Sequence, residues 1–316
     1  MPMTLVEAAK LETRNLVRAG VIEQFARTSE VLRVLPFQDI QGNALAYNRE
    51  EQLPGVAFRG VNEGYPESVG VINPATETLY IAGGDLDVDR FIIKTMGEGV
   101  RSTHENMKIK ALSQAWTNKF IKGDTTIQPR EFDGLQARLT GYNLMDAGAD
   151  GPVGTNTAGG DALSLELLDA AIDRVPGATH ILMSRTLRRK FKAARNNTAT
   201  SGNILLGMDD FGRPVEIYGG LPLLTTYGDN INPDPLAFNE ASPGGGANTS
   251  TSLYVINFGS DGVSGIQNGG IDVRDLGELN NLPLFRTRVE WYAGIGVFNG
   301  SAAVRVRGIK SGALVA

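Results

Sequence analysis

Three carboxylates stand in alternation at Asp85, Asp87 and Asp89, the spacing that opens a calcium-binding loop. Such a loop needs glycine at its sixth position and glutamate at its twelfth, where this chain has Arg90 and Met96. The simpler reading is that Asp85 caps a helix and lays negative charge on the positive end of its dipole. Cysteine is absent, so thiol nucleophiles, cysteine zinc sites and disulfides are excluded. The two histidines, His104 and His180, fall far apart and in different predicted elements, and any Ser-His-Asp triad would have to use one of them. Gly294 and Gly296 with Gly300 follow a strand pattern, but the spacing is not G-x-G-x-x-G and no helix follows. The run Gly262-Val263-Ser264-Gly265 is not a nucleophile elbow, and no phosphate-binding loop motif occurs. Glu50-Glu51 and Asp209-Asp210 pair acids along the chain, with nothing in the sequence to set two of them across a cleft. No catalytic, cofactor-binding or metal-ligating set emerges, and no cofactor is expected.

One segment is strongly basic. Arg185, Arg188, Arg189, Lys190, Lys192 and Arg195 share a helical pattern capped by Ser184, with Leu187, Phe191 and Ala194 as its apolar stripe. The plain reading is a solvated face above a core stripe. The sharper ones are salt bridges to another subunit or contact with DNA, for which Arg188, Arg189 and Lys192 are the candidates.

The chain around these residues has 316 amino acids, 41% of them hydrophobic and 21% charged, with a net charge of −5. That composition excludes a disordered chain and a surface that is basic throughout. There are 39 glycines without a collagen-like period, which implies many turns. No signal peptide and no apolar run of about 18 residues is found. A cysteine-free chain fits the bacterial cytosol.

The periodicities predict a helix over 4–35, with Thr4 and Glu7 in capping-box spacing and Pro36 ending it. Residues 37–80 read as a long, glycine-punctuated extended excursion: alternation at 44–47 and again at 56–61, with Pro54-Gly55 as the turn between the two runs. It has little apolar content of its own to bury, so it packs either on its own core or on a neighbour. A short strand at 78–82 is followed by a helix from Asp85 to about Lys122, weakened at Gly97 and Gly99. Beyond it come a strand-like run at 134–139, a helix at 163–175, a buried strand at 179–183 and the basic helix. Paired strands at 215–218 and 221–226 precede a loop over 233–252, expected to be exposed and mobile. Strands at 253–258, 263–266, 271–275, 284–297 and 302–309 finish the chain.

Several passages in this order resemble the major capsid proteins of tailed phages, which have the Hong Kong phage shell fold shared with encapsulins. They are V-L-R-V-L-P-F at 31–37, Y-N-R-E-E-Q-L-P-G at 47–55, A-F-R-G-V-N at 57–62, D-L-D-V-D-R-F at 85–91 and A-T-H-I-L-M-S at 178–184. The most specific is the ending, Y-V-I-N-F-G followed by G-V-S-G-I-Q-N-G-G-I-D-V-R-D-L-G and R-V-E-W-Y-A-G-I-G-V. The resemblance implies an α+β capsid fold. Residues 1–36 would be an N-terminal arm and 37–80 an extended hairpin loop lying on a neighbouring subunit. Residues 81–154 with 263–316 would form a peripheral domain carrying the spine helix, and 155–262 an axial domain. It also implies self-assembly into pentamers and hexamers of an icosahedral virion shell around double-stranded DNA, put together in the host bacterial cytoplasm. On the loop, Arg49, Glu50, Glu51, Phe58 and Arg59 are the expected subunit contacts. Further expected partners are a separate scaffold protein, a portal protein, a decoration protein and the packaged DNA; no membrane is implied.

Two departures bear on that expectation. The type member of the family crosslinks a loop lysine to an asparagine, whereas this chain has no lysine between Lys10 and Lys94. Non-covalent contacts or a cementing protein must then hold the shell. Met1 stands just before the arm, without a long cleavable scaffolding region, which makes a separate scaffold the expectation. The acidic net charge is consistent with a shell that must release its genome. The alternatives are an encapsulin-type bacterial compartment, with the same fold enclosing cargo enzymes, and a soluble α+β enzyme using His104 or His180.

Overall fold

A computed structural model describes residues 3–5, 29–52, 54–97, 99–148, 160–196, 204–208, 214–228, 233–245 and 249–315. Its core is organised by a seven-stranded sheet in the order β6-β15-β11-β7-β10-β9-β8. The strands are β6 (Leu144–Asp146), β7 (His180–Ser184), β8 (Ile204–Met208), β9 (Pro214–Tyr218), β10 (Leu221–Thr226), β11 (Ser250–Ile256) and β15 (Ala303–Lys310). β7 and β10 run parallel, while β11 pairs antiparallel with both β7 and β15. Every residue of β11 is buried because both faces of this sheet are covered, which is why its second half, 253–256, reads as an apolar run, while the hydroxyls of Ser250, Thr251 and Ser252 in its first half are hydrogen-bonded. Alternate residues serve two cores. Leu182, Leu224, Tyr254 and Ile256 belong to one, and Ile181, Met183, Leu223 and Val255 to the other.

The second core lies under two helices, Leu165–Asp173 and Arg185–Ala194. The first core is closed by a six-stranded sheet and by the spine. In that sheet β1 (Met3–Thr4) and β2 (Pro36–Asp39) lead to β12 (Val263–Gln267) and to the 14-residue β14 (Leu284–Val297). β14 is flanked by β13 (Asp272–Glu278) and by β5 (Tyr80–Asp89). The spine helix, Gly99–Lys122, has 24 residues and is about 36 Å long. It turns Ile109, Trp116, Phe120 and Ile121 onto the sheet. A short arm helix, Glu30–Val34, wedges Val31 and Leu32 into the same core, and Leu35 follows them.

Several expectations change. The Asp85 region is strand: β5 runs to Asp89, and Asp89, not Asp85, accepts the capping hydrogen bond, from Phe91 N at 2.7 Å, of a separate helix, Arg90–Met96. Ten registered pairs with β14 override the local helical pattern. Glycine at 83 lets the two strands approach, since a Cβ there would stand 2.3 Å from Val289 O. Gly97, at φ +87°, separates the short helix from the spine. Residues 135–138 form a helical turn rather than a strand. Thr4 pairs as a strand with Pro36 and Leu5 after it is helical, while 6–28 of the expected arm helix lie outside the described residues.

The loop after β10 is not the exposed segment expected. Leu236 is fully buried, and Glu240 is buried against Arg305 Nη2 at 3.0 Å and the Ser252 hydroxyl; Arg305 Nε donates to Ser252 Oγ at 3.0 Å. Removing one partner of a buried ion pair strands the other charge. Arg305→Leu is expected to cost about 3–5 kcal/mol in a urea titration, and the Glu240→Leu/Arg305→Leu double variant to recover much of that. A double variant no better than the single one would contradict this.

Candidate assembly surfaces

The excursion at 37–80 is a hairpin. β3 (Ala44–Gln52) and β4 (Val71–Thr78) pair antiparallel from Ala44↔Thr78 outward, with a bulge between Glu50 and Gln52. Its arms span about 25–30 Å. The base is fixed to the body by aromatic and polar contacts. The Tyr47 ring meets Phe298 edge-on at 4.8 Å, and its hydroxyl donates to Val297 O at 3.0 Å. Burial, then the neighbouring Glu77 carboxylate, pushes the Tyr47 phenol upward. Arg138 donates to both oxygens of Glu77, with Nη2–Oε2 at 2.7 Å.

Beyond the strands, 54–70 form no ladder. The expected second run at 56–61 is not a strand: Gly60 interrupts it, and Pro54, Gly55, Gly64 and Pro66 flank it. The tip folds on itself instead. Ser68 Oγ donates to Gly55 O at 2.7 Å across its neck. Arg59 donates to Glu63 O and lies 4.9 Å over the Tyr65 ring, while Gly60 N donates to Glu63 Oε2 at 2.8 Å. Asn62 takes the left-handed conformation at φ 70° in this turn. The apolar side chains point outward. Val56 and Val61 are 92% exposed, Val69 is 88% exposed and Phe58 is completely so. Four large apolar side chains exposed together on one projecting loop mark it as a candidate interaction surface.

The expected contact residues therefore divide. Arg49 lies at the base, its guanidinium within 3.0 Å of where a Cβ on Gly300 would stand. Glu50 and Glu51 occupy the bulged end of β3, and their side chains lie outside the described residues. Phe58 is at the tip, touching nothing, and Arg59 is folded into the tip turn. On the basic helix Arg188 reaches Glu216 at 3.9 Å, Arg189 donates to Thr186 Oγ1, and Lys192 is exposed.

The Asp85, Asp87 and Asp89 pattern proves to be one side of a cross-strand ladder. Asp85 receives Arg288 Nε at 2.7 Å and Nη2 at 2.9 Å; Asp87 receives Arg286 at 2.7 and 2.6 Å. At the spine, Arg101 bridges Asp275 at 2.7 Å. Hydrogen bonds from Arg288, Arg286 and Arg101, respectively, hold the Asp85, Asp87 and Asp275 carboxyls below the ordinary carboxylate range. Their folded-state pKa values lie below the unfolded ones, so their contribution is complete at neutral pH and fades as pH falls through the folded values, below about 4. The urea midpoint should decline between pH 5 and pH 2.5, and less so in Asp85→Asn/Asp87→Asn; equal declines would count against the ladder. Arg-x-Arg at 286–288 opposite Asp-x-Asp at 85–87 was the signal for it. Nothing in the sequence, however, marked Tyr47, Glu77 and Arg138 as the hairpin's anchor.

With this geometry in place, comparisons with known proteins agree. Residues 14–165 match the family model "Major capsid protein GP7". No curated protein matches the chain. Among solved structures, the holo encapsulin complex of Synechococcus elongatus PCC 7942 superposes with a TM-score of 0.62 at 16% identity, over 89% of this chain and 87% of that one. The capsid of the native GTA particle gives 0.59 at 11% identity, over 90% of each chain. A Mycobacterium phage Bobi structure gives 0.57 at 13% identity, over 88% and 89%. The anchored hairpin, spine and two-sheet body, together with these superpositions, give the chain the Hong Kong phage shell fold that tailed-phage capsid proteins share with encapsulins, and residues 14–165 carry the similarity to the major capsid protein family.

Proposed function

We propose that the chain is the head protein of a tailed phage. Copies associate into pentamers and hexamers, and these close an icosahedral shell around double-stranded DNA in the host bacterial cytoplasm. The observation that carries this reading is the hairpin: locked to its own body at Tyr47, Glu77 and Arg138, apolar at the tip, and without a core of its own for that tip to enter. Each valine or phenylalanine there gains about 1.5–3 kcal/mol on burial against a neighbour. Repeated head to tail around a symmetry axis, such a contact closes rings. The role is structural rather than catalytic. In this reading 1–36 serve as arm, 37–80 as loop, 81–154 with 263–316 as peripheral domain and 155–262 as axial domain. Since β6 and β15 both enter the sheet built around β7, β10 and β11, the last two regions would interlock rather than hinge freely. A scaffold protein, a portal and a decoration protein are the further proposed partners.

Negative-stain electron microscopy with light scattering tests the reading. Closed particles, or rings of five and six, are expected from the purified chain or on co-expression with a scaffold. A small discrete oligomer under both conditions would overturn it. The likeness to the encapsulin complex supports a second reading, a bacterial compartment. Particles that co-purify with a cargo enzyme and no nucleic acid would favour that one.

A further inference from the structure

The basic helix Arg185–Ala194 is the most polarised element of the molecule. Its buried stripe, Leu187, Phe191 and Ala194, occupies one side. At 100° per residue, Arg185, Arg188, Arg189, Lys192 and the following Arg195 fall within roughly 120° on the opposite side, and from first to last they span about 15 Å. The helix contains no acidic residue. Among the described residues, Arg188 has one carboxylate, Glu216, at 3.9 Å, the outer limit of an ion pair, while Lys192 and Arg195 make none. The Arg185 guanidinium lies 4.4 Å over the Tyr227 ring and, among the described residues, has no carboxylate partner. In a chain of net charge −5, so concentrated a row of cations runs against the overall balance.

Burying such a row against a protein would require matching carboxylates. The conspicuous acidic row of a second copy, Asp85 and Asp87, is already held by its own Arg288 and Arg286, and Asp146 by Arg307. A continuous polyanion has no such requirement. Duplex DNA presents one charge per about 1.7 Å of axis, so a 15 Å row of cations meets several phosphates whatever its rotational setting. We propose that the outer face of this helix, through Arg188, Arg189, Lys192 and Arg195, is a sequence-independent contact for the backbone of double-stranded DNA. The proposal deepens the capsid reading by assigning the surface that meets the genome.

The test is fluorescence anisotropy with the full chain and a labelled 30-base-pair duplex at 50–300 mM salt. Wild-type protein should bind, with affinity falling steeply as salt rises. Arg188→Gln/Arg189→Gln/Lys192→Gln should bind at least tenfold more weakly at 50 mM, with the log–log salt slope smaller by about 2–3. Arg188→Lys/Arg189→Lys keeps the charge while removing the guanidinium fork, and should bind as wild type does. Arg185→Gln/Arg195→Gln gives a second neutralised pair should the triple variant fail to fold by circular dichroism. No binding by the wild type, an unchanged salt slope in both neutralised variants, or a lysine variant as weak as the glutamine one would overturn the proposal. Light scattering on the same proteins keeps the two readings apart. DNA binding without particles in any condition counts against the capsid and leaves the helix as a DNA contact. Lost particles with unchanged DNA affinity in the neutralised variants make it a subunit contact instead.

Discussion

Phe58→Asp is expected to abolish closed particles while leaving the melting temperature of the isolated protomer within about 1 °C of wild type. Phe58 is completely exposed and touches nothing in its own chain, so its removal cannot disturb the fold. Its replacement by a charge acts only where the tip meets another copy. There it forfeits the roughly 2–3 kcal/mol of a buried phenylalanine and adds the desolvation of a carboxylate. Because a closed shell repeats the contact in every subunit, a loss that would merely weaken a dimer is expected to eliminate particles. Phe58→Leu, which keeps apolar area, should still assemble. Normal particles from Phe58→Asp by electron microscopy would mean the tip faces solvent in the shell, and the hairpin would then lose its proposed role.

The second large effect lies in the core. Trp291→Ala is expected to lower the unfolding free energy of the unassembled chain by about 3–5 kcal/mol. Trp291 is fully buried, and it joins three elements that are distant in sequence. Its ring lies 5.4 Å from Phe37 on β2 and 5.6 Å from Trp116 on the spine, and its Nε1 donates to Gln267 Oε1 on β12 at 3.2 Å. Trp116 in turn stacks on Phe120 at 5.4 Å and meets Phe132 at 5.9 Å. The substitution opens a cavity at the centre of this cluster and orphans the Gln267 carbonyl. Trp291→Phe keeps most of the ring volume and should cost less than half as much. A urea titration showing under 1 kcal/mol for Trp291→Ala would mean that the cluster is not what joins spine to sheet.

Much of the architecture could be read from the sequence because the signals were local and strong. Ser184 caps the basic helix through Leu187 N, as its position before the apolar stripe implied. The alternation at 284–297 yields β14, with Thr287, Val289, Trp291 and Ala293 inward. The apolar run at 253–256 sits in the strand covered on both faces. The first strand of the hairpin was legible in the alternation at 44–47, but its return strand, expected at 56–61, comes at 71–78. Where the reading failed, distant partners decided. The strand expected at 78–82 was read as giving way to a helix from Asp85, but β14 extends it to Asp89 with a ten-residue ladder and two arginines for its aspartates. The loop at 233–245 has the composition of an exposed turn, yet Arg305, more than sixty residues away, draws Glu240 inside.

By itself, then, the sequence determined the absence of cysteine chemistry and of recognised nucleotide and nucleophile motifs, the periodic elements and the residues each would bury. These follow from residue type and from spacings of a few positions. Only the tertiary structure decided which strands share a sheet, that the Asp-x-Asp row meets the Arg-x-Arg row, and that Tyr47, Glu77 and Arg138 hold the hairpin base while its tip stands free. Those outcomes depend on contacts between residues tens to hundreds of positions apart, whose energies exceed any local preference and leave no trace in local periodicity.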